Sequence, residues 1–122
     1  MEKLQVIGVK KLKGHIRISG SKNSSLPILA ATLLSDKKIQ IFNLPRVKDI
    51  DTMINLLKSL GSKIQFSKNK KTVKISKSKK QNFLAPYSLV KTMRGSILSL
   101  GALIAKYKKA YTVVVYVFNI IH

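Results

Sequence analysis

The chain has 122 residues, 45% of them hydrophobic, enough to bury one core and to exclude a wholly disordered segment. Its 24 lysines and arginines stand against four acidic residues, Glu2, Asp36, Asp49 and Asp51, for a formal net charge of +20. There is no cysteine, and the two histidines, His15 and His122, lie far apart, which excludes disulfides and thiolate sites and gives no support to metal binding.

Residues 4–9 and 15–19 read as short strands, the second with Ile16 and Ile18 alternating against His15, Arg17 and Ser19. From Ser21 the period changes. Pro27 sits early, and Leu26, Leu29, Ala30, Leu33 and Leu34 recur at helical spacing, which predicts a first helix starting near Ser21 or Asn23. Ile39, Ile41 and Leu44 predict a half-buried strand ended by Pro45, with Asp49 as the expected N-cap of a second helix. In that helix Ile50, Met53, Ile54, Leu57 and Leu60 share one face, and Gly61 is the stop. Ile64 and Phe66, then Val73 and Ile75, alternate on either side of Lys68-Asn69-Lys70-Lys71, a hairpin with a solvated tip. Pro86 is expected to open a third helix carrying Leu89, Met93, Ile97, Leu100 and Ile104, with Gly95 and Gly101 weakening it or permitting close packing. Residues 111–121 predict a final β-branched strand.

Helices that cross between strands imply a sheet packed against helices, so the fold class is α/β (α+β), in one unit with no linker and no visible internal repeat. The apolar stretch at residues 111–121 is well short of the ~20 residues a membrane helix needs, and Lys106, Lys108 and Lys109 separate it from the helix before it. No cleavage pattern marks the N-terminus, so a soluble, cytoplasmic protein is expected. The basic excess suits a polyanion partner, but arginine occurs only at Arg17, Arg46 and Arg94, and isoleucine is abundant. That favours drift toward A- and T-rich codons over a nucleic-acid role, since proteins that read base sequence usually lean on arginine forks.

Two places could carry chemistry. Ser19-Gly20-Ser21-Lys22-Asn23 lies where a strand gives way to a helix, and free N–H groups, the helix dipole, an ammonium and a carboxamide there would suit a phosphate or carboxylate. An ordinary capped helix with a surface lysine reads the same way. Lys91 and Arg94, three apart on the expected third helix, could grip a diphosphate or form a solvated basic face.

These residues also carry a resemblance. Ile18-Ser19-Gly20-Ser21-Lys22-Asn23 with Leu26-Pro27-Ile28-Leu29-Ala30-Ala31 is similar to the opening of the enolpyruvyl transferase family, in particular its UDP-N-acetylglucosamine 1-carboxyvinyltransferase branch. Asn43-Leu44-Pro45 with Asp49-Ile50-Asp51-Thr52, then Leu56-Leu57 with Leu60-Gly61, then Ala85-Pro86-Tyr87 with the Leu89 to Ser96 block follow in the family's order, up to about Tyr107. Asn23, where the shikimate-pathway branch typically has serine, and the last block favour the cell-wall branch. The resemblance implies transfer of the enolpyruvyl group of phosphoenolpyruvate to the 3-hydroxyl of UDP-N-acetylglucosamine, without metal or organic cofactor. Lys22 and Asn23 would contact phosphoenolpyruvate and Arg94 the UDP-sugar. It also implies an inside-out α/β barrel of repeated βαβαββ units, of which about one, plus the N-terminal strands, is present. Residues 1–21 would belong to the other domain, 22–107 to a partial transferase domain and 108–122 to a divergent tail.

The departure from the family is equally specific. A glycine-rich loop bearing a proton-donating cysteine or aspartate is expected after Tyr107, yet the chain has no Cys and no Asp or Glu after Asp51. The expectation is therefore a truncated or frameshifted product, inactive alone, with apolar surface exposed for self-association. A small basic nucleic-acid module using residues 68–80, or a non-catalytic remnant of the same ancestry, are the other readings.

Overall fold

The computed structural model describes residues 2–111. The first helix, α1 (Lys22–Ala31), begins where the sequence predicts, with Ser21 as N-cap accepting from the Ser24 N–H at 3.4 Å. Pro27 has no N–H to offer the Asn23 carbonyl, so one bond of the second turn is missing. A 3-10 turn, Thr32–Leu34, leads to the short strand β1 (Ile39–Ile41).

The second helix, α2 (Lys48–Ser59), buries Ile50, Met53, Ile54, Leu56 and Leu57, the face expected from the 3.6-residue period plus Leu56. Its start corrects the sequence reading. Val47, in extended conformation and without a side-chain cap bond, is the N-cap, and Asp49 lies inside the first turn with Asp51. A carboxylate there still opposes the positive end of the helix dipole, so the sequence preference is satisfied two positions later than a cap would be. At the other end Gly61 follows the C-cap Leu60 with φ +101°, a left-handed step that side chains disfavour. That step turns the chain into β2 (Ser62–Phe66), which pairs with β3 (Val73–Lys77) across the expected lysine-rich tip.

The sheet is antiparallel with order β1-β3-β2. Its register aligns Ile39, Ile75 and Ile64 in one row and Gln40, Lys74 and Gln65 in the next. Because side chains alternate between faces, Ile75 and Ile64 turn into the core beside α2, Ile39 is half-buried at the edge strand, and the polar row faces outward. Leu29, Met53, Leu56, Leu57, Leu60 and Val73 are fully buried between α1, α2 and the sheet.

The expected third helix is broken into three pieces: α3 (Tyr87–Val90), a 3-10 turn (Arg94–Ser96) and α4 (Ile97–Tyr107). At the end of α3 the Met93 N–H bonds the Val90 carbonyl at 3.2 Å, three residues back rather than four, while the Thr92 hydroxyl donates to the Leu89 carbonyl at 3.0 Å. Met93 is extended (φ −142°, ψ 112°), which drives its side chain into the core, while Gly95 approaches Leu26 of α1 so closely that a Cβ would sit 3.2 Å from its Cδ1.

The two N-terminal strands are also corrected. Residues 2–20 form no strand, and Leu4, Val6, Ile16 and Ile18 are 80% or more exposed. A strand exists through its pairing, and no described segment lies alongside to take these N–H and C=O groups. One tether is the Asn43 Nδ2–H, which donates to the Ile18 carbonyl at 3.3 Å. At the other end Tyr111 forms a parallel bridge with Leu84. The rest of the expected last strand, residues 112–121, lies outside the described residues.

Asp36 joins three elements. Its Oδ1 accepts from Lys106 Nζ at 2.7 Å on α4 and from Lys77 Nζ at 2.9 Å at the end of β3. The hydrogen bonds from Lys106 and Lys77 hold its carboxyl down at about 2, below the usual 3.8.

Candidate functional site

The junction Ile18 to Asn23 is held by a close backbone approach. Gly20 lies so near the Asn43 carbonyl oxygen that a Cβ would enter its van der Waals shell, and it would also sit 3.2 Å from Pro45 Cδ. Asn43 is itself left-handed (φ 56°), and the Leu44 N–H donates to the Lys71 carbonyl at 2.8 Å, so the turn is anchored to the sheet hairpin. That contact lies one residue before Ser21, the N-cap of α1.

Lys22 and Asn23 are the first two residues of α1, and both are exposed. The Ser24 N–H goes to the Ser21 hydroxyl and the Ser25 N–H to the Ser21 carbonyl at 3.0 Å, so that among the described residues the Lys22 and Asn23 amides are the donors of the first turn without a partner. An ammonium, a carboxamide and two backbone N–H groups at the positive end of a helix form a set of donors for a carboxylate or phosphate.

Lys22 is not alone. Its Nζ lies 3.0 Å from Asp49 Oδ2, so the first turns of α1 and α2 meet through an ion pair. The sequence reading missed this role by assigning Asp49 to capping. The available signal was its place as one of four acidic residues in a chain with 24 cations. Both side chains are more than a third exposed, 47% and 37%, so an incoming anion can compete for the ammonium.

Arg94 opens the 3-10 turn and is exposed. Leu26, one helical turn beyond Lys22, touches Gly95, so Arg94 is carried beside the second turn of α1. The expected pairing of Arg94 with Lys91 on one helix face is corrected. Lys91 ends α3, its Nζ lies 5.6 Å from the Tyr87 ring centroid, and the break at Met93 separates it from Arg94.

The chain thus presents a small antiparallel sheet backed by helices, with a cluster of donors at the start of α1. The crystal structure of the enolpyruvyl transferase NikO from Streptomyces tendae matches it in fold, with a TM-score of 0.67 over 82% of this chain and 23% of that one, at 24% identity. The family model of EPSP synthase (3-phosphoshikimate 1-carboxyvinyltransferase) matches residues 6–117, and the chain belongs to that family.

Within the family, the chain is 66% identical over 110 residues to the UDP-N-acetylglucosamine 1-carboxyvinyltransferase of Pelagibacter ubique (strain HTCC1062). It is 48% identical over 107 residues to the protein of the same name from Yersinia pestis (strain Pestoides F). These alignments take in 90% and 88% of this chain but 26% and 25% of the relatives, so it spans about a quarter of their length. Among the described residues no helix is long and apolar enough to cross a membrane.

Proposed function

We propose that this chain supplies part of the substrate site of a UDP-N-acetylglucosamine 1-carboxyvinyltransferase, which moves the enolpyruvyl group of phosphoenolpyruvate to the 3-hydroxyl of UDP-N-acetylglucosamine. Lys22 and Asn23 bind phosphoenolpyruvate, whose carboxylate and phosphate suit an ammonium, an amide and two free N–H groups. Arg94 takes the UDP-sugar, its guanidinium matching phosphate oxygens in a planar fork. The observation that carries the reading is the exposed donor set at the start of α1 in a chain 66% identical to a transferase of that name. Such an enzyme works in the cytoplasm on peptidoglycan precursors and so serves cell shape and division.

These 122 residues do not complete the chemistry. They contain no cysteine and no carboxylate after Asp51 to protonate the substrate's methylene carbon or act as a late general base. Residues 1–21 pack on a second domain in the whole enzyme, residues 22–107 form part of one domain, and 108–122 are a divergent tail. Apolar surface at Ile28, Ile97 and Ile104 is then covered by the remainder of the enzyme, or by a second copy when the chain is alone. The comparisons give the nucleic-acid module no support.

The test is a titration of the folded chain with phosphoenolpyruvate, followed through the Lys22 and Asn23 backbone amide resonances. Lys22→Ala is expected to weaken binding about tenfold, the worth of one charge-assisted contact. Equal affinity in a folded Lys22→Ala variant would overturn the assignment. The intact mass of the endogenous product decides whether the chain acts alone: a value near 13.6 kDa means a truncated remnant, and a several-fold larger one means the whole transferase.

A further inference from the structure

The outward face of the sheet, on the far side from α2, is not used by this reading. We propose that it binds a compact multivalent phosphate, such as a triphosphate group. The strand register builds a two-row grid there. Gln40, Lys74 and Gln65 stand side by side across β1, β3 and β2. In the next outward row Lys63 faces Ser76, and continuing the β1 register places Lys38 on the other side of Ser76.

Every one of these six side chains can donate a hydrogen bond, and they line a hollow of about 450 Å³ with no acidic residue in it. None of the three lysines has an ion-pair partner among the described residues, since Asp36 is held by Lys77 and Lys106, and Asp49 by Lys22. Like charges directly opposite one another destabilise a sheet. This grid avoids that by placing a glutamine or Ser76 between the lysines, so that each cation lies one strand over and two residues along from the next, or two strands away. With strands ~4.8 Å apart and a rise of ~3.3 Å per residue, the lysine Cα atoms are roughly 8 to 10 Å apart. Flexible four-carbon stems can bring ammonium groups from such a triangle onto neighbouring phosphoryl oxygens, with the amides and hydroxyl filling the remaining lone pairs.

The probe is inorganic triphosphate, titrated into the full chain by calorimetry and by backbone amide shifts. Lysine contacts at an exposed face are worth about twofold each, so Lys38→Gln, Lys63→Gln and Lys74→Gln together are expected to weaken binding about tenfold. The melting temperature should be unchanged, because all three side chains are exposed. The control carries the same charge change at the hairpin tip, Lys68→Gln, Lys70→Gln and Lys71→Gln, and is expected to weaken binding less than about twofold. Saturating shifts on β1, β2 and β3 that persist in Lys22→Ala separate this face from the start of α1. An equal loss in the control, meaning a response to net charge alone, would overturn the proposal. So would unchanged affinity in the sheet variant.

Discussion

Gly20→Ala tests whether the contact between residues 18–20 and the turn at Asn43 places the start of α1. The added methyl would fall inside the shell of the Asn43 carbonyl oxygen, a backbone atom that cannot rotate away. The turn resists displacement because the Leu44 N–H is bonded to Lys71 and the Leu44 side chain is 3% exposed. The 18–20 segment must therefore move, straining the bond from Asn43 to the Ile18 carbonyl and the position of the Ser21 cap. Inserting a methyl into a filled contact costs ~1–3 kcal/mol, and alanine returns ~0.4–1 kcal/mol by stiffening the unfolded chain. The net expectation is a loss of about 1 kcal/mol, or a fall in Tm of several degrees for a domain of this size. Urea or thermal unfolding reads that value, and the Lys22 and Asn23 amide shifts report the cap. A Tm equal to or above the wild type, with those amides unmoved, would refute the argument that this contact fixes the helix start.

Three other substitutions probe the core, the Lys22 ion pair and the Asp36 clamp. Met53→Ala, at a side chain with 0% exposure between α1, α2 and the sheet, should cost ~2–5 kcal/mol in a urea melt, and a loss below 1 kcal/mol would mean that the core is loosely packed. Asp49→Asn should cost at most about 1 kcal/mol, from the exposed pair and the place of the carboxylate at the positive end of α2, and should raise phosphoenolpyruvate affinity about twofold to fivefold by freeing the Lys22 ammonium. A drop in affinity would show instead that Asp49 orients Lys22. The Asp36 carboxyl is lowered by its two lysines, so its contribution is complete above pH 3.8 and is lost as pH falls toward about 2. Asp36→Asn should flatten the stability profile across that window, as read by unfolding at stepped pH, and an unchanged slope would remove the clamp from the account.

Much of the local structure was legible because it follows from period and punctuation. The α1 and α2 stripes, the Gly61 stop and the β2–β3 hairpin need only neighbouring residues to specify them. Lys22 and Asn23 were legible as candidates for the same reason: a serine cap followed by a helical stripe locates the first turn wherever the helix later packs. Four ordered blocks also sufficed to suggest the family, which the match over residues 6–117 establishes.

The remainder depended on contacts between residues distant in sequence. The periodic run from Leu89 to Ile104 satisfies a single helix, yet the structure breaks it, because Met93 gains burial and Gly95 gains a place against Leu26, and neither gain is encoded in the run itself. The alternation at residues 15–19 specifies a strand only if a partner strand is present, and among the described residues none is. Asp49 looked like a cap because capping is local, whereas its ion pair with Lys22 joins two helix starts 27 positions apart and exists only after α1 and α2 pack. Residue identity thus determined which groups could bind an anion, and tertiary packing decided which of them stand together, since proximity across the chain depends on core burial rather than on any local preference.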